Sequence, residues 1–183
     1  MVALTCALSA CGSGDQAKRF GTVSDCAKVG RLTQVADPAG DQRGGRTGAP
    51  PASYGDLTAL RLARGGGRLC AEFRTKGAIK PYAAYLLVLR PRDADTPAVQ
   101  VEATVLAGQK PAALLNPGGD GDRFRRIAAD VGIDGSRLTL LVGRAEFARL
   151  GLTPIFDAFR FQGRSAVAAE DDVRFTDCVP ACD

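Results

Sequence analysis

Leu69, Ala71 and Phe73 alternate with Cys70, Glu72 and Arg74. A period of two places every second side chain on one face of an extended strand, and a helix has no use for it. This period recurs along the chain and constrains its fold more than any other feature. Upstream, Leu60 and Leu62 alternate with Arg61, and Gly65-Gly66-Gly67 separates the two runs. Glycine takes positive φ without steric cost, so the triplet predicts a tight hairpin. By parity Cys70 lies on the polar face, where a disulfide to an overlying segment suits it better than the core does.

Residues 82–89, YAAYLLVL, are continuously apolar until Arg90-Pro91. That predicts a strand covered on both faces, with Tyr82 and Tyr85 in the core. Val99, Val101, Ala103 and Val105 alternate with Gln100, Glu102 and Thr104. Ile127, Ala129, Val131 and Ile133 alternate across Asp130, Asp134-Gly135 turns the chain, and residues 138–142 return. Asp-Gly between two such runs is a hairpin signal, although Phe124, Ile127, Ala128 and Val131 also fit a helical stripe. Residues 145–150 ahead of Gly151 form the one expected short helix. Phe156, Phe159 and Phe161 mark an expected last major strand. Residues 37–55 and 108–123 are rich in Gly, Pro and Asp and read as loops. Six or more short strands with so little helix predict an all-β fold over residues 24–183. The expected architecture is a two-sheet antiparallel β-sandwich, each sheet with one packed and one wet face.

Absent residues narrow the function. The chain has no His and no Trp, and its one Met is Met1. That removes Ser-His-Asp and Cys-His catalysis and His-ligated zinc or haem. The 24 basic and 20 acidic residues are interspersed, giving a net charge of +4. Without a basic run or patch, a nucleic-acid interface is not expected. An enzyme built here would have to work with carboxylates alone, as glycosidases do, and no spacing singles out a pair. The chain is therefore not expected to be an enzyme.

The first residues suggest an address. Residues 2–10, VALTCALSA, are apolar or small, long enough for a signal-peptide core and too short to span a bilayer. Leu8-Ser9-Ala10-Cys11 resembles the lipobox of bacterial lipoproteins. That resemblance implies cleavage after residue 10, a diacylglycerol on Cys11, and anchorage at the outer face of the cytoplasmic membrane. Residues 11–23, starting Cys11-Gly12-Ser13-Gly14, would then be a tether. Met1-Val2 lacks the basic residue that normally precedes such a stretch. Two readings follow: a start further upstream, or an incidental cysteine. With Cys6 removed and Cys11 acylated, Cys26, Cys70, Cys178 and Cys182 remain. An even number in an exported domain indicates two disulfides. The pairing Cys26–Cys70 with Cys178–Cys182 is slightly preferred, and the pairings that tie Cys26 to the C-terminal cysteines stay open.

Three stretches carry a second resemblance. They are residues 37–41 (DPAGD) followed by 54–60 (YGDLTAL); residues 137–142 (RLTLLV) with Gly143-Arg144 and the short helix; and Phe159-Arg160-Phe161, with Asp177 and Pro180 beyond. Together they resemble exported domains of the DOMON-like group, which includes the family-9 carbohydrate-binding modules. The resemblance implies a jelly-roll-like sandwich and, by member, binding of sugar, haem or a structural Ca²⁺. Haem is not expected, because the axial ligands are missing. For sugar, Tyr54 in a Pro/Gly loop is the expected ring. Asp37 and Asp41, four apart across Pro and Gly, together with Asp56 would offer Ca²⁺ three hard oxygen ligands. The alternative is that Asp37 and Asp41 only start and cap a turn. The expected role is a non-catalytic binding domain for a glycan or envelope component. The runner-up is a structural or protein-interaction lipoprotein, and a carboxylate-dependent hydrolase is third.

Overall fold

The computed structural model describes residues 25–40, 52–91, 97–118, 123–169 and 172–179. Among them eleven strands form. In chain order they are β1 (Leu32–Ala36), β2 (Leu57–Gly65), β3 (Arg68–Thr75), β4 (Ala83–Arg90), β5 (Val99–Val105), β6 (Ala112–Asn116), β7 (Arg125–Arg126), β8 (Ala129–Asp134), β9 (Arg137–Gly143), β10 (Arg160–Ala169) and β11 (Asp172–Val179). Helices α1 (Arg144–Arg149) and α2 (Thr153–Asp157) lie between β9 and β10. One antiparallel sheet has the order β1-β2-β3-β9-β8, the other β11-β10-β4-β5-β6-β7. The expected two-sheet antiparallel sandwich is the fold.

Alternation decides which side chains meet between the sheets. Leu60, Leu62, Leu69, Phe73, Leu138 and Leu140 of the five-stranded sheet pack on Tyr85, Leu87, Leu89, Val99, Val101 and Leu115 of the other. Full burial of each such large apolar side chain contributes roughly 1.5–3 kcal/mol. Phe73 and Tyr85 bridge the layers, with ring centroids 5.8 Å apart. The Tyr85 hydroxyl donates to the Tyr54 carbonyl at 2.6 Å, which satisfies its polar end inside the core. Burial, with Tyr54 beside it, pushes that phenol well above its usual range. Gly163 lets β10 pass close to the opposite sheet: a Cβ there would lie 2.9 Å from Leu60 Cδ2 and 3.2 Å from the Phe73 ring.

The triple-glycine turn forms as expected. Gly65 pairs with Arg68, and Gly66 and Gly67 have φ of 54° and 69°. Cys70, outward by parity, is covered by a 3₁₀ turn at Cys26–Lys28 and bonded to Cys26, with the two Cα atoms 5.4 Å apart. Cys26, Val29, Ala63, Cys70 and Leu141 form a second small cluster on that outer face. The turn sits so close to the hairpin that a Cβ on Gly65 would be 2.1 Å from the Val29 carbonyl oxygen. The N-terminal segment therefore enters at the hairpin end of the sandwich. Residues 37–40, 76–82 and 106–111 cap the opposite end, where the Tyr82 N–H donates to the Val105 carbonyl and the Ile79 N–H to that of Gly135.

Several expectations need correction. Among the described residues there are two short α-helices rather than one. Phe156 is on α2, not a strand, because Pro154 favours a first helical turn and Phe156 packs edge-on to Phe147 at 5.2 Å. The strand expected around Phe156, Phe159 and Phe161 begins only at Arg160, and β11 follows it. Residues 108–123 contain β6, an inner-outer alternation inside a Gly/Pro-rich stretch. Tyr82 is not in the core: it is 55% exposed and holds φ of +64° one residue before β4 begins. The helical stripe through Ile127 is not used. Ile127 is buried between β7 and β8.

Candidate functional site

At the edge of the five-stranded sheet the two layers part, leaving a cleft of about 340 Å³. One wall is β1 and β2. Arg64 shares the core-facing side of β2 with Leu60 and Leu62, and Thr33 is paired with Leu62. Arg31 stands one position before the Leu32–Ala63 pair, next to Arg64. The other wall is the α2–β10 connection, with Asp157, Phe159 and Phe161. Arg64 spans the two walls. Its Nη1 donates to the Phe156 carbonyl at 2.7 Å and to the Asp157 carbonyl, closing the C-terminal end of α2. Its guanidinium carbon lies 5.8 Å from the Phe159 ring centroid, a cation–π distance. Asp157 Oδ2 accepts from Arg144 Nη2 at 2.8 Å. That bond holds the Asp157 carboxyl below its usual range. The cleft thus has apolar rings on one side, and on the other a fixed guanidinium at Arg64, an exposed one at Arg31 and the Thr33 hydroxyl. Such a setting can stack a flat or C–H-rich face and hydrogen-bond its edge.

The acidic residues expected to form a site lie at the opposite end. Asp56 is fully buried. Its Oδ1 accepts from the Gly40 N–H at 3.0 Å, so the 37–40 turn does fold over it. Its Oδ2 lies 3.7 Å from Lys76 Nζ. An ammonium therefore already supplies the positive charge next to the carboxylate. Asp37 is half-buried on the same turn, where its N–H donates to the Thr58 carbonyl. Asp41 lies outside the described residues. Among the described residues no three Asp, Glu, Cys or His side chains gather as a metal site. Ca²⁺ at Asp37, Asp41 and Asp56 would compete with the Lys76 ammonium for the Asp56 carboxylate. Tyr54 is half-buried against the core, and its backbone carbonyl accepts from the Tyr85 hydroxyl. Cys11 and Cys182 also lie outside the described residues, and Cys178 occupies a position on β11 opposite Arg164.

Other charged groups support the fold. Glu72, 2% exposed on the outer face of the five-stranded sheet, is held by Arg74 at 2.7 Å and Arg61 at 3.4 Å. Gln34 accepts from Arg61 at 2.7 Å and extends that network to the edge strand. Glu102 on β5 and Asp130 on β8 have their carboxyls pushed up by burial. Thr104 donates to Glu102 at 3.0 Å and partly offsets the effect.

None of the cleft residues was expected from the sequence. A signal was present for Arg64, which continues the inward parity of Leu60 and Leu62. A charge on an inward position at the end of a strand marks a place where the layers open. Arg31 and Thr33 carried no comparable signal, because β1 itself alternates too weakly to be read. No family model, curated protein or solved structure matches this chain.

Proposed function

We propose that this chain is a non-catalytic binding domain of the bacterial envelope, carried at the outer face of the cytoplasmic membrane by lipid on Cys11, and that the cleft between its sheets takes a glycan. The cleft carries this reading. Its volume of about 340 Å³ falls within the range of roughly 300–1,000 Å³ usual for small-ligand sites. Phe159 and Phe161 offer faces for the C–H surface of a sugar ring, while Thr33, Arg31 and Arg64 offer donors for its oxygens. The buried carboxylates Asp56 and Glu72 are both ion-paired with basic side chains, an arrangement suited to holding strands rather than moving protons.

A glycan array probed with the full chain tests the proposal, with Phe159→Ala beside it. Specific binding that Phe159→Ala abolishes and Tyr54→Ala retains supports it. Binding indifferent to Phe159 overturns the placement. The anchor has its own test: Cys11→Ala with the native leader should release the protein into the soluble fraction, and retention at the membrane would refute lipidation. The protein-interaction alternative has one observation in its favour. Tyr82 and Leu106, 55% and 40% exposed, stand side by side just beyond the Ala83–Val105 pair. A Tyr82→Ser/Leu106→Ser variant that keeps glycan binding intact argues against that alternative.

A further inference from the structure

The charge balance of the cleft goes one step beyond a glycan site and rests on that reading. Two arginines, Arg31 and Arg64, occupy neighbouring backbone positions at the ends of adjacent strands, and both line the cleft. Like charges so placed repel, and a sheet normally avoids the arrangement. The one carboxylate lining the cleft offsets them only in part: Asp157 is bonded to Arg144 and acts on Arg64 through its charge without a hydrogen bond from its carboxylate. Arg64 commits Nη1 to two carbonyl oxygens, which carry no net charge. Arg31 is exposed and makes no hydrogen bond or ion pair among the described residues. Positive charge therefore exceeds negative charge in the cleft, with Arg64 held in place over Phe159 and Arg31 open to solvent.

We infer that the cleft recognises an anionic sugar, one bearing a carboxylate or phosphate. The anion sits between Arg31 and Arg64, and the ring lies against Phe159 and Phe161. The guanidinium fork matches both anions, and a charge-assisted bond is stronger than one to a neutral hydroxyl. Arg64 also fixes the end of α2, so it is the positioning cation. Arg31 has no structural duty and is the recognition cation.

The test is a calorimetric titration of the full chain with oligogalacturonate, its neutral oligogalactose counterpart and galactose 6-phosphate, followed by amide NMR to locate each ligand. An acidic sugar should bind at least about tenfold tighter than the neutral one, as one charge-assisted contact allows. Its affinity should fall with added salt. Whichever acidic sugar prevails identifies the anion. Arg31→Gln should bring acidic and neutral sugars to near parity, and Arg31→Lys should keep part of the preference. An unchanged far-ultraviolet circular dichroism spectrum confirms that either variant is folded. Equal binding of acidic and neutral sugars in the cleft overturns the anionic inference and leaves the glycan site standing. An acidic preference that survives Arg31→Gln also overturns it. If no sugar perturbs the cleft, both fail.

Discussion

Replacing Cys26 and Cys70 together by alanine removes the one covalent tie between the N-terminal turn and the sheet. The two cysteines are separated by 44 residues. Cross-linking a loop of that length lowers the entropy of the unfolded chain by about 13 cal/mol/K, or about 4 kcal/mol at 25 °C. Both sulfurs are fully buried beside Val29, Ala63 and Leu141. Losing their contacts adds roughly 1 kcal/mol. The double variant should therefore lose about 4–5 kcal/mol in urea denaturation, with little change in the slope against urea in the native-state baseline. For a domain of this size that lowers Tm by roughly 8–20 °C. The double substitution leaves no unpaired thiol at the site. A loss below about 1.5 kcal/mol would refute the reasoning, because it would mean that the turn at Cys26–Lys28 is not held against the sheet by this bond.

Further outcomes follow from the packing and the charges. Gly163→Ala places a methyl 2.9 Å from Leu60 Cδ2, and overpacking of this kind should cost about 1–3 kcal/mol by thermal or urea unfolding; a neutral result would show that β10 is not pressed against the opposite sheet. Glu102 has its folded carboxyl raised above the usual carboxylate range by burial. The native state therefore holds its proton more tightly than the unfolded state does, and this contribution is present at low pH and lost as pH rises through the raised value. Glu102→Gln keeps an acceptor for Thr104, so it should stabilise the protein above that range and flatten the pH profile; an unchanged slope between pH 4 and 7, as urea midpoints measure it, would count against the burial argument. With Lys76 already beside Asp56, EDTA should leave Tm unchanged, whereas a clear fall reversed by added Ca²⁺ would restore a calcium site at Asp37, Asp41 and Asp56.

Strong alternation was legible wherever both faces of a strand had a distinct environment. The β2–β3 and β8–β9 hairpins follow from Leu60/Leu62, Leu69/Ala71/Phe73 and Leu138/Leu140, with glycines at the turns. Cys70 shows how far parity reaches: an outward cysteine implied an overlying segment, and Cys26 lies in it. The weaker elements were hidden for physical reasons. β1 is an edge strand with the exposure of Thr33 and Gln34 on both faces, so little apolar contrast remains to read. α2 is a single turn started by Pro154, and its Phe156 is drawn inward by Phe147, a partner that only the fold brings close. Tyr82 belonged to an apolar run, yet the run enters the sheet one residue later. The cleft was least legible of all. It exists because two strand ends and a helix-to-strand connection from different sheets converge, and no stretch of sequence holds more than a part of it.

The most direct test of the account is a two-dimensional amide NMR titration of the full chain with an acidic oligosaccharide such as oligogalacturonate. Saturable shifts should concentrate at residues 31–33, 62–64 and 157–161 and should disappear in Phe159→Ala. Shifts centred instead on Tyr54, or on Tyr82 and Leu106, would contradict the account.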